Sequence, residues 1–353
     1  MLAQRPLAAA TRRLPPCGCR PRRLSTASQA MQLLARGAEA VLRRQDAQEA
    51  EATLDEAAGA LAEVDAPPWA LWPLHSARGA LAQSRGQLVA AHAELQQALA
   101  LATQGSEAGV GDDAFQDLAG CLIDLSACEL QLRTDSAAQA AAQRARRAKF
   151  MASRAYKPAS ELLRRVDEVL ALTQMGEDGG DAVRGVLLQA QEGEYAGVEG
   201  RCRCTLAALA LSEAHAAEGV QKRDSLLGKA ARGAERSLPI LGGAEAAAAS
   251  AILADATAGI ARTEALQAGV AAAALALPDT HFARVMLVQA AQQQDARDGG
   301  SGLAAAEAAA ELAPLIGPAH PAVMQLRRAA AGGGALVPGL CSAIPTPTTT
   351  ALR

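Results

Sequence analysis

The sequence predicts an all-α protein, and three observations carry that prediction. Roughly a quarter of the 353 residues are alanine, aromatics make up only 2 %, and small or apolar residues recur at steps of three, four and three. Alanine and leucine favour helix, whereas sheet cores draw on β-branched and aromatic residues that are scarce here. Small side chains also let helix axes approach closely. Half of the residues are hydrophobic and the formal net charge is −3, which excludes a disordered polyelectrolyte. Asparagine is absent, so the chain holds no N-glycosylation acceptor.

Residues 1–29 read as an organellar transit peptide. Seven arginines (5, 12, 13, 20, 22, 23 and 36) precede the first acidic residue, Glu39, with hydroxyls and alanines between them. The run Arg22-Arg23-Leu24-Ser25-Thr26 resembles a matrix-protease cleavage region, so the mitochondrial matrix is expected ahead of the chloroplast, with a cytoplasmic chain carrying a basic tail third. No stretch approaches the roughly 20 apolar residues of a membrane span. The best candidate, Gly269–Leu277, is short and mostly alanine.

Residues 30–330 carry the repeat. The step of three, four and three puts four residues on one helix face. It gives Ala47/Ala50/Leu54/Ala57, Leu88/Ala91/Leu95/Ala98, Ala138/Ala141/Ala145/Ala148 and Val183/Val186/Ala190/Gly193. Three further quartets are Leu227/Ala230/Ala234/Ser237, Ala265/Ala268/Ala272/Leu275 and Leu303/Ala306/Ala310/Ala313. Their starts lie 41, 50, 45, 44, 38 and 38 residues apart. Such a period, with another helix before each quartet, predicts a right-handed α-solenoid of about seven antiparallel helix pairs. Glycine-rich joints are expected at Gly105–Asp113, Gly176–Asp181 and Asp298–Gly302. Residues 331–353, with three consecutive glycines and then Pro/Thr, read as a disordered tail.

The clearest unit runs from Leu74 to Leu101. Pro73 suits a first helical turn, Gly79 and Ala82 are small residues facing the partner helix, and Gly86 makes the turn. Leu88, Ala91, Leu95 and Ala98 then face back. This unit resembles a tetratricopeptide repeat, with Gly79, Ala91 and Ala98 at the family's small positions and Ala82 and Leu95 where aromatics are usual. Near the C-terminus, Ala306, Ala310 and Ala313 precede Gly317-Pro318-Ala319-His320-Pro321, which resembles the linkers of kinesin-light-chain-type repeats. Pro278-Asp279-Thr280-His281 echoes it.

Little in the chain speaks for chemistry. Gly109-Val110-Gly111-Asp112-Asp113-Ala114 echoes a dinucleotide fingerprint, but a helical pattern precedes it where that motif needs a strand. The seven cysteines include two C-x-C pairs and no C-x-x-C pair. Cys202 and Cys204 point to different faces of a helix, and Cys121 and Cys128 read as small core residues. The five histidines lack metal spacing, with His75 and His92 expected on helix surfaces and His320 in a linker turn. The sequence therefore predicts no enzyme, no cofactor and no metal.

One basic run stands out: Arg144, Arg146, Arg147, Lys149, Arg154 and Lys157, with Phe150 and Tyr156 among them. It fits contact with RNA phosphates or anionic lipid, or a solvated face neutralised by acidic neighbours. The only tryptophans, Trp69 and Trp72, are expected to cap the seam between the first two pairs, or to be an exposed anchor. The leading expectation is a non-catalytic protein-binding scaffold, such as an assembly factor or accessory subunit of an organellar complex. The alternatives are an organellar RNA-binding factor using Arg144–Lys157, and a cytosolic cargo adaptor of kinesin-light-chain character.

Overall fold

The structure, a computed structural model, describes residues 21–42, 47–108, 114–133, 135–155, 160–173, 179–193, 195–295, 301–332, 336, 340 and 344. Among them there is no strand. The helices are α1 (Pro21–Leu42), α2 (Ala47–Glu63), α3 (Trp72–Ser84), α4 (Leu88–Glu107), α5 (Ala114–Leu132), α6 (Asp135–Arg154), α7 (Ser160–Thr173) and α8 (Gly179–Glu192). Then come α9 (Ala196–Ala216), α10 (Val220–Ser237), α11 (Gly243–Ala256), α12 (Gly259–Ala276), α13 (Phe282–Asp295), α14 (Ser301–Ile316) and α15 (Pro321–Ala330). A short 3-10 helix, Pro68–Leu71, leads into α3.

Each helix packs on its chain neighbours, and first helices of successive pairs also meet: α1 on α3, α3 on α5, α5 on α7, α9 on α11, α11 on α13. That is the layering of an α-solenoid, in which a unit contacts mainly the units beside it. Seven pairs and a fifteenth helix account for the described residues, as the repeat spacing predicts.

Glycine sets the closest crossings. A Cβ on Gly79 would lie 2.7 Å from Leu95 Cγ, and one on Gly37 would lie 2.7 Å from Leu54 Cδ2. The first two pairs thus share one contact, a leucine of the second helix seated on a glycine of the first. Ala82 is half-buried against a cluster of Ala91, Leu95, Leu125 and Cys128, which joins the second pair to the third. Ala98 is fully buried. Pro73 lies in the first turn of α3, and Gly86 takes φ +75 at the α3–α4 turn, a backbone region that glycine enters without penalty.

The expected helical phase holds through the first five quartets at their central positions. Ala50, Leu54, Ala57, Ala141, Ala145, Ala148, Val183, Val186, Ala190, Ala230, Ala234 and Ser237 are buried. The last two quartets are displaced by one residue. Leu275 and Leu303 are 91 % and 78 % exposed, and Ala306 and Ala310 are exposed with Ala313 half-buried. The buried stripes there are Ala265/Leu266/Gly269/Ala273 and Ala305/Ala308/Ala309/Leu312/Ile316. In runs of near-continuous alanine the side chains do not distinguish one face from the next, and Leu266, Leu312 and Ile316 fix the rotation.

All three expected joints are shorter than the sequence suggests. Gly105 lies inside α4, buried, with Trp69 Cβ 3.5 Å from where its own Cβ would be. Gly179, Gly180, Asp181, Ser301 and Gly302 are already helical. Trp72 packs against a cluster that includes Ala98, Ala102 and Leu118, at the seam between the second and third pairs rather than the first and second, and Trp69 lies over Gly105 of the second pair. In the C-terminal segment, Leu336, Leu340 and Ile344 are buried in the main core cluster. The amide of Leu336 donates to Gln293 Oε1 (2.8 Å) and that of Leu340 to Asp255 Oδ1 (3.2 Å).

The superhelix turns back on itself. α14 touches α4, and Leu88 belongs to the same apolar cluster as α11–α15. His281 lies over Gly86, whose Cβ would stand 2.9 Å from the imidazole. His320 Nε2 donates to the carbonyl of Gln131 at 3.0 Å, reaching across 189 residues. Both histidines cap the next helix, accepting at Nδ1 from Ala283 N (3.2 Å) and Ala322 N (3.1 Å). Phe282 fills the space between them, stacked on His281 at 4.8 Å and edge-on to His320 at 5.4 Å. The two linkers that looked like echoes in sequence therefore form one closing contact.

Candidate functional site

Three assemblies of charge stand out: a buried ladder, the basic run of α6, and an open groove over α9.

The ladder ties successive first helices together. On α5, Asp124 is buried and accepts from Arg165 of α7. On α7, Glu168 takes two bonds from Arg201 of α9, at 2.6 and 3.1 Å, and Arg201 reaches on to Glu245 of α11 at 3.4 Å. Glu129 of α5, only 2 % exposed, forms a parallel node with His92 of α4 at 3.3 Å and Arg144 of α6 at 3.0 Å to both oxygens. Burial disfavours the Arg201 charge, but Glu168, its hydrogen bond and Glu245 outweigh that and hold the guanidinium firmly protonated. The sequence hides this ladder because each pair spans 33 to 44 residues. One signal was present: Asp124 and Glu129 interrupt the otherwise apolar run of α5.

The four described cysteines (121, 128, 202 and 204) are buried and form no disulfide. Burial pushes the thiols of Cys128 and Cys202 up to about 12, and neighbouring carboxylates add to it. Such thiols carry no reactive thiolate at neutral pH. Among the described residues no group of His, Cys, Asp and Glu is placed to hold a metal. Likewise no described helix is long and apolar enough to cross a membrane.

The basic run is divided. Arg144 is committed to Glu129, Lys149 pairs with Asp167 at 3.1 Å, and Arg154 lies over the Phe150 ring at 4.3 Å. Arg146 and Arg147 are exposed, with no carboxylate partner among the described residues. Lys157 and Tyr156 lie outside the described residues. The His75 imidazole bonds Glu94 at 2.7 Å within the second pair, while His92 turns toward the third.

The groove was not anticipated. α8 and α10 flank α9 and leave an open trough of about 450 Å³ above it. Its apolar surface comes from Leu187 of α8, Leu206, Leu209 and Ala210 of α9, and Leu226 of α10. Among the described residues its charged lining is Arg184, Arg203, Lys229, Arg232 and Arg236 with one carboxylate, Glu213. Arg184 and Arg203 are engaged by Asp181 and Glu199 on their own helices. Lys229, Arg232 and Arg236 have no carboxylate partner among the described residues. The Nε–H of Arg203 is buried with no hydrogen-bond partner. These cations come from three helices, so no single basic run marks them. The i, i+3, i+7 spacing of Lys229, Arg232 and Arg236 on one face of α10 was the only legible trace.

The fold and its packing define a helical-repeat protein. No family model, curated protein or solved structure matches the chain.

Proposed function

We propose that this chain is a non-catalytic scaffold that binds other proteins, built of helix pairs of tetratricopeptide type. The observation that carries the reading is the trough over α9, where leucines half-open to solvent lie beside cations left without carboxylate partners. Apolar surface framed by charge is the composition of a recognition surface, since burial supplies affinity and charge supplies register. The repeat type is supported by the shared Gly37–Leu54 and Gly79–Leu95 contacts and by small residues at Ala91 and Ala98. The arginine-rich, acid-free composition before Glu39 supports an organellar address, the mitochondrial matrix first.

RNA binding through α6 is the second reading, favoured by exposed Arg146 and Arg147 alone. The engagement of Arg144, Lys149 and Arg154 leaves that surface with fewer free cations than the run suggests. Native-size fractionation of the tagged protein decides between them. Scaffold function gives migration in a large assembly that nuclease treatment leaves intact. Migration as a free monomer, or a size that collapses with nuclease, refutes it.

A further inference from the structure

We infer that the trough over α9 binds an acidic amphipathic helix of a partner protein, a proposal that rests on the scaffold reading and specifies its site. Between Arg203 and Glu213 the floor helix presents ten residues of rise, about 15 Å, or nearly three turns of a helix laid alongside. Leu206, Leu209 and Ala210 run down its middle. Leu187 and Leu226 close the two sides. A partner helix with leucine-like residues at i, i+3 and i+7 covers that apolar strip.

Charge selects the flanks. Among the described residues, three cations on α10 stand without carboxylate partners and five cations line the trough with one carboxylate, in a chain whose overall charge is −3. An occupant carrying glutamates or aspartates on its flanks meets Lys229, Arg232 and Arg236 on one side and Arg184 on the other. The chain's own ends are excluded on the same ground, because neither residues 1–38 nor residues 312–353 contain an acidic residue. Among the described residues lining the trough none is aromatic, which favours a peptide over stacked single-stranded RNA.

The test uses the full chain and fluorescence anisotropy at about 0.15 M salt, where surface charges are screened beyond roughly 8 Å. The probe is a synthetic 18-residue helix with leucine on one face and glutamate on the other. Controls replace its leucines by serine, or its glutamates by lysine, and add an oligouridylate of equal charge. Binding by the leucine–glutamate helix alone, weakened at least tenfold in Arg232→Glu/Arg236→Glu and unchanged in Arg146→Glu/Arg147→Glu, supports the proposal. Circular dichroism of each variant establishes that its fold is retained. Equal binding of the serine control, preference for the oligouridylate, self-association in place of peptide binding, or indifference to the α10 variant overturns it. A chain that still migrates in a nuclease-resistant assembly while failing these tests refutes the trough alone. A chain that migrates as a free monomer refutes the scaffold reading itself.

Discussion

Replacing Arg201 by methionine removes the cation at the centre of the ladder and leaves Glu168, 4 % exposed in its side chain, without its two bonds at 2.6 and 3.1 Å. At an effective dielectric near 20, a unit pair about 3 Å apart attracts by about 5 kcal/mol. Relief of the arginine's own desolvation returns part of that, and the loss expected on breaking a buried pair is about 3–5 kcal/mol. Glu245 is more open to solvent and adds little. Arg201→Met is therefore expected to lower the stability of the α7–α11 region by that amount. Glu168→Leu/Arg201→Met, which removes both charges and fills the space, should recover most of the loss. Urea unfolding followed by circular dichroism gives the global effect. Because repeat arrays can unfold in parts, amide exchange of α7 and α9 locates it. A loss below about 1 kcal/mol in the single variant, or a double variant no better than the single, would refute the view that buried charge holds the repeats in register.

Other outcomes follow from the same contacts. His320 is held neutral, its pKa lowered from 6.5 to about 4 mainly by burial and further by Arg133, against the opposing bond to Gln131. The unfolded chain then binds more protons between those values. Stability should fall as pH drops from about 6.5 to 4, by about 3 kcal/mol at 1.4 kcal/mol per unit, and His320→Gln should flatten that slope in acid-unfolding curves. Gly79→Val drives a side chain into Leu95 and is expected to cost about 1–3 kcal/mol by overpacking, read from the urea midpoint. Ala310→Glu should change the melting point little, whereas Ala309→Glu should destabilise strongly. The reverse order would restore the quartet phase expected from sequence.

Legibility followed the size of the side chain. In α2, α4 and α10, leucine or serine among the alanines fixed the rotation, and Leu54, Leu95 and Ser237 lie where the pattern placed them. In α12 and α14 alanine occupies nearly every face and leucines stand on both sides, so the pattern took the exposed Leu275 and Leu303 in place of the buried Leu266, Leu312 and Ile316. Close helix approach at Gly79 was readable because a small residue at a crossing serves one purpose. The ladder and the trough were not: the ladder joins residues 33 or more positions apart, and the trough gathers its lining from three successive helices brought together by solenoid stacking. The basic run of α6 drew notice for being contiguous, yet the fold spends Arg144 and Lys149 on internal and neighbouring carboxylates.

The chain contains only four lysines, at 149, 157, 222 and 229, and this makes one measurement direct. Lys229 lines the trough, whereas Lys149 and Lys157 belong to the basic run. Lysine-directed crosslinking of the native assembly, read by mass spectrometry, should give links from Lys229 to a partner protein, at residues beside an acidic amphipathic helix. Partner links confined to Lys149 and Lys157, with Lys229 freely modified in the intact assembly, would contradict the account.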